Sequence, residues 1–174
     1  MQTARALGAG LAAQGLRLVY GAGDRGLMGA VADAVHAAGG NSLGVVPRHL
    51  LGRETGLSGQ GQRQTPPVIT ETMHERKKVM FVNSDAIVVL PGGAGTLDEF
   101  FEVLTWAQLG LHAKPILLCD TDGYWQPLTG LIDHVIAQGF AEPGLRALYS
   151  VHPDSAATLA ALRAHFNRLH STTA

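Results

Sequence analysis

A Rossmann-like α/β fold, a single domain whose doubly wound parallel sheet carries helices on both faces, is predicted by three features of this 174-residue chain. Unbroken β-rich runs, above all Ile87-Val88-Val89-Leu90, suit parallel strands covered on both sides. Such runs alternate with helical stretches from one end to the other without a composition break or a repeat, which makes 1–174 one domain. Two of the strands run straight into glycine turns that precede helices, Gly21-Ala22-Gly23-Asp24-Arg25-Gly26 and Pro91-Gly92-Gly93-Ala94-Gly95-Thr96.

Taken in order, the chain opens on an amphipathic helix built on Leu7, Leu11 and alanines, which stops at Gly15. Gln14 and Arg17 interrupt its apolar run, so it does not read as a signal peptide. A strand over 16–20, a helix over 27–38 and a strand over 41–46 follow, the last closed by Pro47. Residues 48–67, rich in Gly, Gln and Arg with little periodicity, read as a mobile surface loop. A short strand over 68–70 leads to a helix opened by Thr72, whose stripe Met73, Arg76, Lys77 and Met80 is half apolar and half basic. Because 79–82 is apolar, that helix is expected to be buried on most sides, and a cationic face there needs an anionic partner. The helix over 97–109 carries Leu97, Phe100, Phe101 and Leu104 as its core stripe. A strand over 115–119, a turn at Asp122-Gly123, a helix over 124–138 and a strand over 148–151 precede a last helix, with Pro153 in its first turn and Leu159, Leu162 and Phe166 on one face.

The bulk composition narrows the function. Hydrophobic residues make up 46% of the chain and charged residues 16%, enough for a buried core. A net charge of −1 gives no electrostatic ground for nucleic acid or an anionic membrane as partner, and no apolar run nears the roughly 18 residues that span a bilayer. The only cysteine, Cys119, rules out an internal disulfide and reads as a buried small hydrophobe, compatible with a reducing cytoplasm.

Chemistry concentrates at the second glycine turn. Gly92, Gly93 and Gly95 remove side chains where a ligand approaches the backbone, and the helix that follows offers free N–H groups and a positive dipole end to an anion. Thr96 and Glu99 also fit an S/T-x-x-E capping box, which needs no ligand. The first turn is a formal G-x-G-x-x-G, but no acid stands about 20 residues on to hold a ribose hydroxyl, so NAD is disfavoured and Gly21 and Gly23 suit a smaller nucleotide. Neither turn ends in G-K-[ST], which disfavours ATP hydrolysis. No G-x-S-x-G elbow is present. His74-Glu75 begins like a zinc motif, but Lys78 stands where the second histidine belongs, so no metal site is expected.

The pair Met73-His74-Glu75-Arg76-Lys77 and Pro91-Gly92-Gly93-Ala94-Gly95-Thr96-Leu97-Asp98-Glu99 resembles the M-H-x-R-K and P-G-G-x-G-T-x-x-E signature of the Lonely Guy family of cytokinin-activating phosphoribohydrolases. Gly26-Leu27-Met28-Gly29, Thr105-Trp106-Ala107-Gln108-Leu109-Gly110 and Lys114-Pro115 extend the resemblance over roughly 16–149. It implies hydrolysis of the N-glycosidic bond of N6-substituted adenosine monophosphates, with AMP also accepted by many bacterial members, and no cofactor. It further implies Arg76 and Glu99 as the catalytic pair, Gly92, Gly93, Ala94, Gly95 and Thr96 as the phosphate loop, Met73 and Lys77 flanking the nucleotide, and a homodimer to which 106–112 contributes. Older labels call such proteins lysine decarboxylases, but no residue here identifies a pyridoxal phosphate lysine. Family members begin with a strand and a glycine-serine turn ahead of the first helix, whereas this sequence starts within that helix. A non-catalytic nucleotide-binding or cofactor-carrier module, or a dimeric scaffold with an incomplete site, are the competing expectations.

Overall fold

The structure, a computed structural model, describes residues 1–51 and 66–172. Two compact units divide the chain, Met1–Ser84 and Asp85–Ala174, each built on a three-stranded parallel sheet flanked by helices.

In the first unit the order is α1 (Gln2–Ala13), β1 (Leu18–Tyr20), α2 (Gly26–Ala37), β2 (Ser42–Pro47), a 3₁₀ turn at Arg48–Leu50, β3 (Val68–Thr70) and α3 (Met73–Val82). Its sheet order is β1-β2-β3, with Val19 opposite Leu43 and Val46 opposite Ile69. Helix α1 buries Ala4, Leu7 and Leu11 and packs on α2 at Gly8, where a Cβ would lie 2.4 Å from the Val31 carbonyl oxygen. Gly15 ends the approach in the left-handed region at φ 67°, the stop expected of it.

In the second unit β4 (Ile87–Val89), α4 (Ala94–Gln108), β5 (Ile116–Cys119), α5 (Gln126–Ala137), β6 (Ser150–His152) and α6 (Ser155–Thr172) follow, with 3₁₀ turns at Thr121–Gly123 and Pro143–Leu148. The sheet order is β4-β5-β6, with Val88 opposite Leu117 and Leu118 opposite Val151. All four residues of β5 are buried, Cys119 completely, as an apolar run in a parallel sheet requires.

Several expectations are corrected. Helix α3 is not buried on most sides: Arg76 is its one buried residue and Val82 is 67% exposed. On α4 the core stripe uses Phe100, Val103 and Leu104, while Phe101 faces solvent. Helix α5 begins at Gln126, because the chain after β5 first makes the 3₁₀ turn with Asp122 at φ 57°. Leu148 and Tyr149 lie outside β6, which starts at Ser150, two residues later than expected. Pro153 lies ahead of α6 rather than in its first turn, and the Asp154 carboxylate accepts from the Ala157 N–H at 2.8 Å at the helix start. Of the loop expected over 48–67, residues 48–50 form a 3₁₀ turn and 52–65 lie outside the described residues.

Candidate functional site

Both glycine turns fall at the carboxyl ends of strands, where open α/β sheets bind ligands.

The first turn follows β1. Ala22, fully buried, sits in the left-handed region at φ 60°, a conformation an alanine adopts only when its surroundings impose it. Gly44 on the adjacent strand makes the room, since a Cβ there would lie 2.9 Å from the Ala22 Cβ. Gly23 donates its N–H to the Met28 sulfur at 3.3 Å.

Arg76 reaches this turn from α3. Its side chain is 5% exposed, and Nε donates to the Val45 carbonyl and Nη2 to the Gly21 carbonyl, both at 3.2 Å. A Cβ on Gly21 would lie 1.7 Å from Nη2, so the absence of a side chain at Gly21 is what lets the guanidinium occupy this position. The two carbonyls take the Nε/Nη2 edge of the fork and hold the guanidinium in place.

Helix α3 starts on a complete capping box. Thr72 Oγ1 accepts from the Glu75 N–H at 3.1 Å, and the Glu75 carboxylate accepts from the N–H groups of Thr72 at 3.2 Å and Glu71 at 2.8 Å. That arrangement fixes the helix that carries Met73, Arg76 and Lys77, with Met73 and Lys77 half-buried on it. It also commits Glu75 to the backbone, which removes it from zinc chemistry; among the described residues no group of three or more His, Cys, Asp or Glu is arranged to hold a metal ion.

The second turn follows β4. Gly93 is the N-cap of α4 and provides no side-chain cap, and no acidic residue stands in the first turn. The expected Thr96–Glu99 capping box is therefore absent: Thr96 is the third residue of α4 and Glu99 the sixth, too far along to reach the N-cap. Thr96 instead packs under the turn, where a Cβ on Gly92 would lie 2.1 Å from its Oγ1. At Gly93 and Gly95 an added Cβ meets no described atom within 4 Å. Packing thus explains Gly92, while Gly93 and Gly95 keep an open surface above uncapped N–H groups. Glu99 lies half-buried nearly two turns into α4.

One contributor went unrecognised in the sequence. Tyr124 donates its hydroxyl to the Gly92 carbonyl at 2.9 Å across 32 residues. The only signal for it was the Asp122-Gly123 turn that re-aims the chain after β5.

Fold and turns together define an α/β protein of parallel sheets whose glycine turns and helix N-termini are built at strand carboxyl ends. Residues 28–162 match the protein family described as "Possible lysine decarboxylase". A probable cytokinin riboside 5'-monophosphate phosphoribohydrolase of Oryza sativa subsp. japonica is 47% identical over 86% of this chain and 64% of its own length. A second rice protein of the same description is 43% identical over 97% of this chain and 67% of its own. A cytokinin riboside 5'-monophosphate phosphoribohydrolase of Arabidopsis thaliana is 43% identical over 86% and 64%. The chain belongs to this Lonely Guy family. It spans a little under two thirds of the length of the first and third of these relatives. Among solved structures, the molybdenum cofactor carrier protein of Chlamydomonas reinhardtii superposes with a TM-score of 0.65 at 22% identity, covering 93% of this chain and 84% of that one. The molybdenum cofactor binding protein of Rippkaea orientalis gives 0.64 at 19%, covering 95% and 86%. At those identities the likeness is one of fold.

Proposed function

We propose that this chain hydrolyses the N-glycosidic bond of adenosine 5'-monophosphates, N6-substituted or unsubstituted, releasing the free base and ribose 5-phosphate. The observation that carries the reading is the contrast between two helix starts: α3 is capped by its own Thr72 and Glu75, whereas α4 opens on glycines with no side-chain cap and no acid. An anion such as a 5'-phosphate supplies what the second start lacks. The names of the relatives at 43–47% identity support the same chemistry.

In this reading Gly92, Gly93, Ala94, Gly95 and Thr96 hold the phosphate, Gly21 and Gly23 of the first turn serve the nucleotide, and Met73 and Lys77 flank it. Cleavage transfers the bonding pair to the base nitrogen and builds positive charge on the ribose; water adds its hydroxyl to C1', and its proton leaves with the base. Glu99 is the carboxylate that stabilises the oxocarbenium-like ribose or orients that water. Arg76, its guanidinium seated on the Gly21 and Val45 carbonyls, is the other member of the catalytic pair and assists charge changes near the leaving base. This reading takes 1–174 as one functional domain. No cofactor is required by this chemistry.

The same reading includes a homodimer, supported by the exposed Leu109 and Leu111 at the end of α4, 67% and 68% accessible. It includes the cytoplasm as compartment, which suits the free thiol of Cys119. No helix among the described residues is long and apolar enough to cross a membrane.

The test is incubation with isopentenyladenosine monophosphate and, separately, AMP, followed by chromatographic quantification of base. Release supports the reading and the ratio of rates ranks the bases; nucleotide binding without release would favour a carrier module instead.

A further inference from the structure

The geometry points to Tyr124 as a positioning residue for the phosphate loop, an inference that rests on the phosphoribohydrolase reading and assigns the loop an anchor outside its own motif. The Tyr124 hydroxyl donates to the Gly92 carbonyl at 2.9 Å. In a trans peptide the carbonyl and the next N–H point in opposite directions, and no peptide of the described chain is cis. Fixing the Gly92 carbonyl therefore fixes the direction of the Gly93 N–H, the N-cap donor of α4, to the side away from Tyr124.

Tyr124 is itself held. β5 ends at Cys119, and the Asp120 carboxylate accepts from the backbone N–H of Trp125. Asp122 and Gly123 then take left-handed conformations, φ 57° and 72°, which turn the chain so that residue 124 meets the loop. The Tyr124 ring lies edge to face with that of Trp125, centroids 4.9 Å apart, and Trp125 is 2% exposed. A buried indole thus supports the phenol, which supports the carbonyl. Thr96 also packs against Gly92. A glycine-rich segment loses much conformational freedom when it orders, so two anchors at Gly92 spare the phosphate part of that ordering cost.

Tyr124→Phe removes only the hydroxyl and keeps the ring against Trp125. The test is calorimetric titration of wild type and variant with ribose 5-phosphate and with free adenine, together with kcat and KM on AMP. The account predicts ribose 5-phosphate affinity weakened by about three- to tenfold, the scale of one hydrogen bond. KM for AMP rises by a similar factor with a smaller change in kcat, and adenine affinity stays within twofold. Unchanged ribose 5-phosphate affinity overturns the assignment. So does an equal weakening toward both ligands, which would mean general loosening. If wild type binds no ribose 5-phosphate at all, the phosphate-loop reading beneath the inference fails first, and that result is seen before any variant is made.

Discussion

Gly21 and Arg76 compete for one volume: a Cβ on Gly21 would lie 1.7 Å from Arg76 Nη2, and that same nitrogen donates to the Gly21 carbonyl at 3.2 Å. The first glycine of a formal dinucleotide-type turn is thereby explained by an arginine 55 residues away. We read its role as seating a guanidinium.

Gly21→Ala should therefore cost about 1–3 kcal/mol of stability, the range for overpacking a buried site. The penalty should largely vanish in an Arg76→Ala background, where the space is vacant, although Arg76→Ala alone strands two buried carbonyls at about 1–3 kcal/mol each. Urea unfolding of the four proteins measures this coupling. Equal penalties for Gly21→Ala in both backgrounds would show that the two residues do not constrain one another.

The glycines of the second turn should divide. Gly92→Ala drives a methyl into Thr96 and should destabilise, whereas Gly95→Ala meets no described atom inside α4 and should stabilise by about 0.4–1 kcal/mol through the unfolded chain. If the open surface there accommodates phosphate, Gly95→Ala should at the same time raise KM for AMP. Thermal unfolding and initial rates on the same preparations separate packing from binding.

Thr72→Ala should destabilise by about 1 kcal/mol, since it removes the side-chain acceptor of a complete capping box. Glu75→Gln, which still offers an oxygen to the Thr72 N–H, should cost less. Chemical denaturation that ranks Glu75→Gln above Thr72→Ala in cost would contradict this account of the start of α3.

Burial lowers the pKa of His152 below its ordinary value of 6.5. The unfolded chain then binds the proton more readily, so this contribution to stability is present above pH 6.5 and is lost as pH falls through the lower folded value. Urea midpoints at pH 7.5 and pH 5 should converge between wild type and His152→Gln on acidification if the histidine carries the effect. A pH-independent difference between them would exclude it.

How much of this was legible in sequence depends on whether local or distant residues decided the matter. Ile87-Val88-Val89 and the four residues of β5 announced parallel strands because burial on both faces leaves a continuous apolar run. Arg76 stands out by its place on a half-basic helix stripe, and the glycine turns by their place between strand and helix. The capping box was assigned to Thr96 and Glu99 on spacing, yet the identical spacing at Thr72 and Glu75 is the one that forms, because α4 starts two residues before Thr96. Spacing alone does not locate the first helical residue. The apolar 79–82 run suggested a buried helix, but Val82 is exposed. The Tyr124–Gly92 bond and the Gly21–Arg76 fit join residues 32 and 55 positions apart, and no local pattern encodes such distances.

The most direct measurement of the central claim is release of free base from isopentenyladenosine monophosphate by wild type and by Glu99→Gln, a near-isosteric change that removes one negative charge from α4. The account predicts base and ribose 5-phosphate in equal amounts from wild type and a rate reduced by about a hundredfold or more in the variant, with unfolding midpoints alike. Full activity in Glu99→Gln, or no release by wild type, would contradict it.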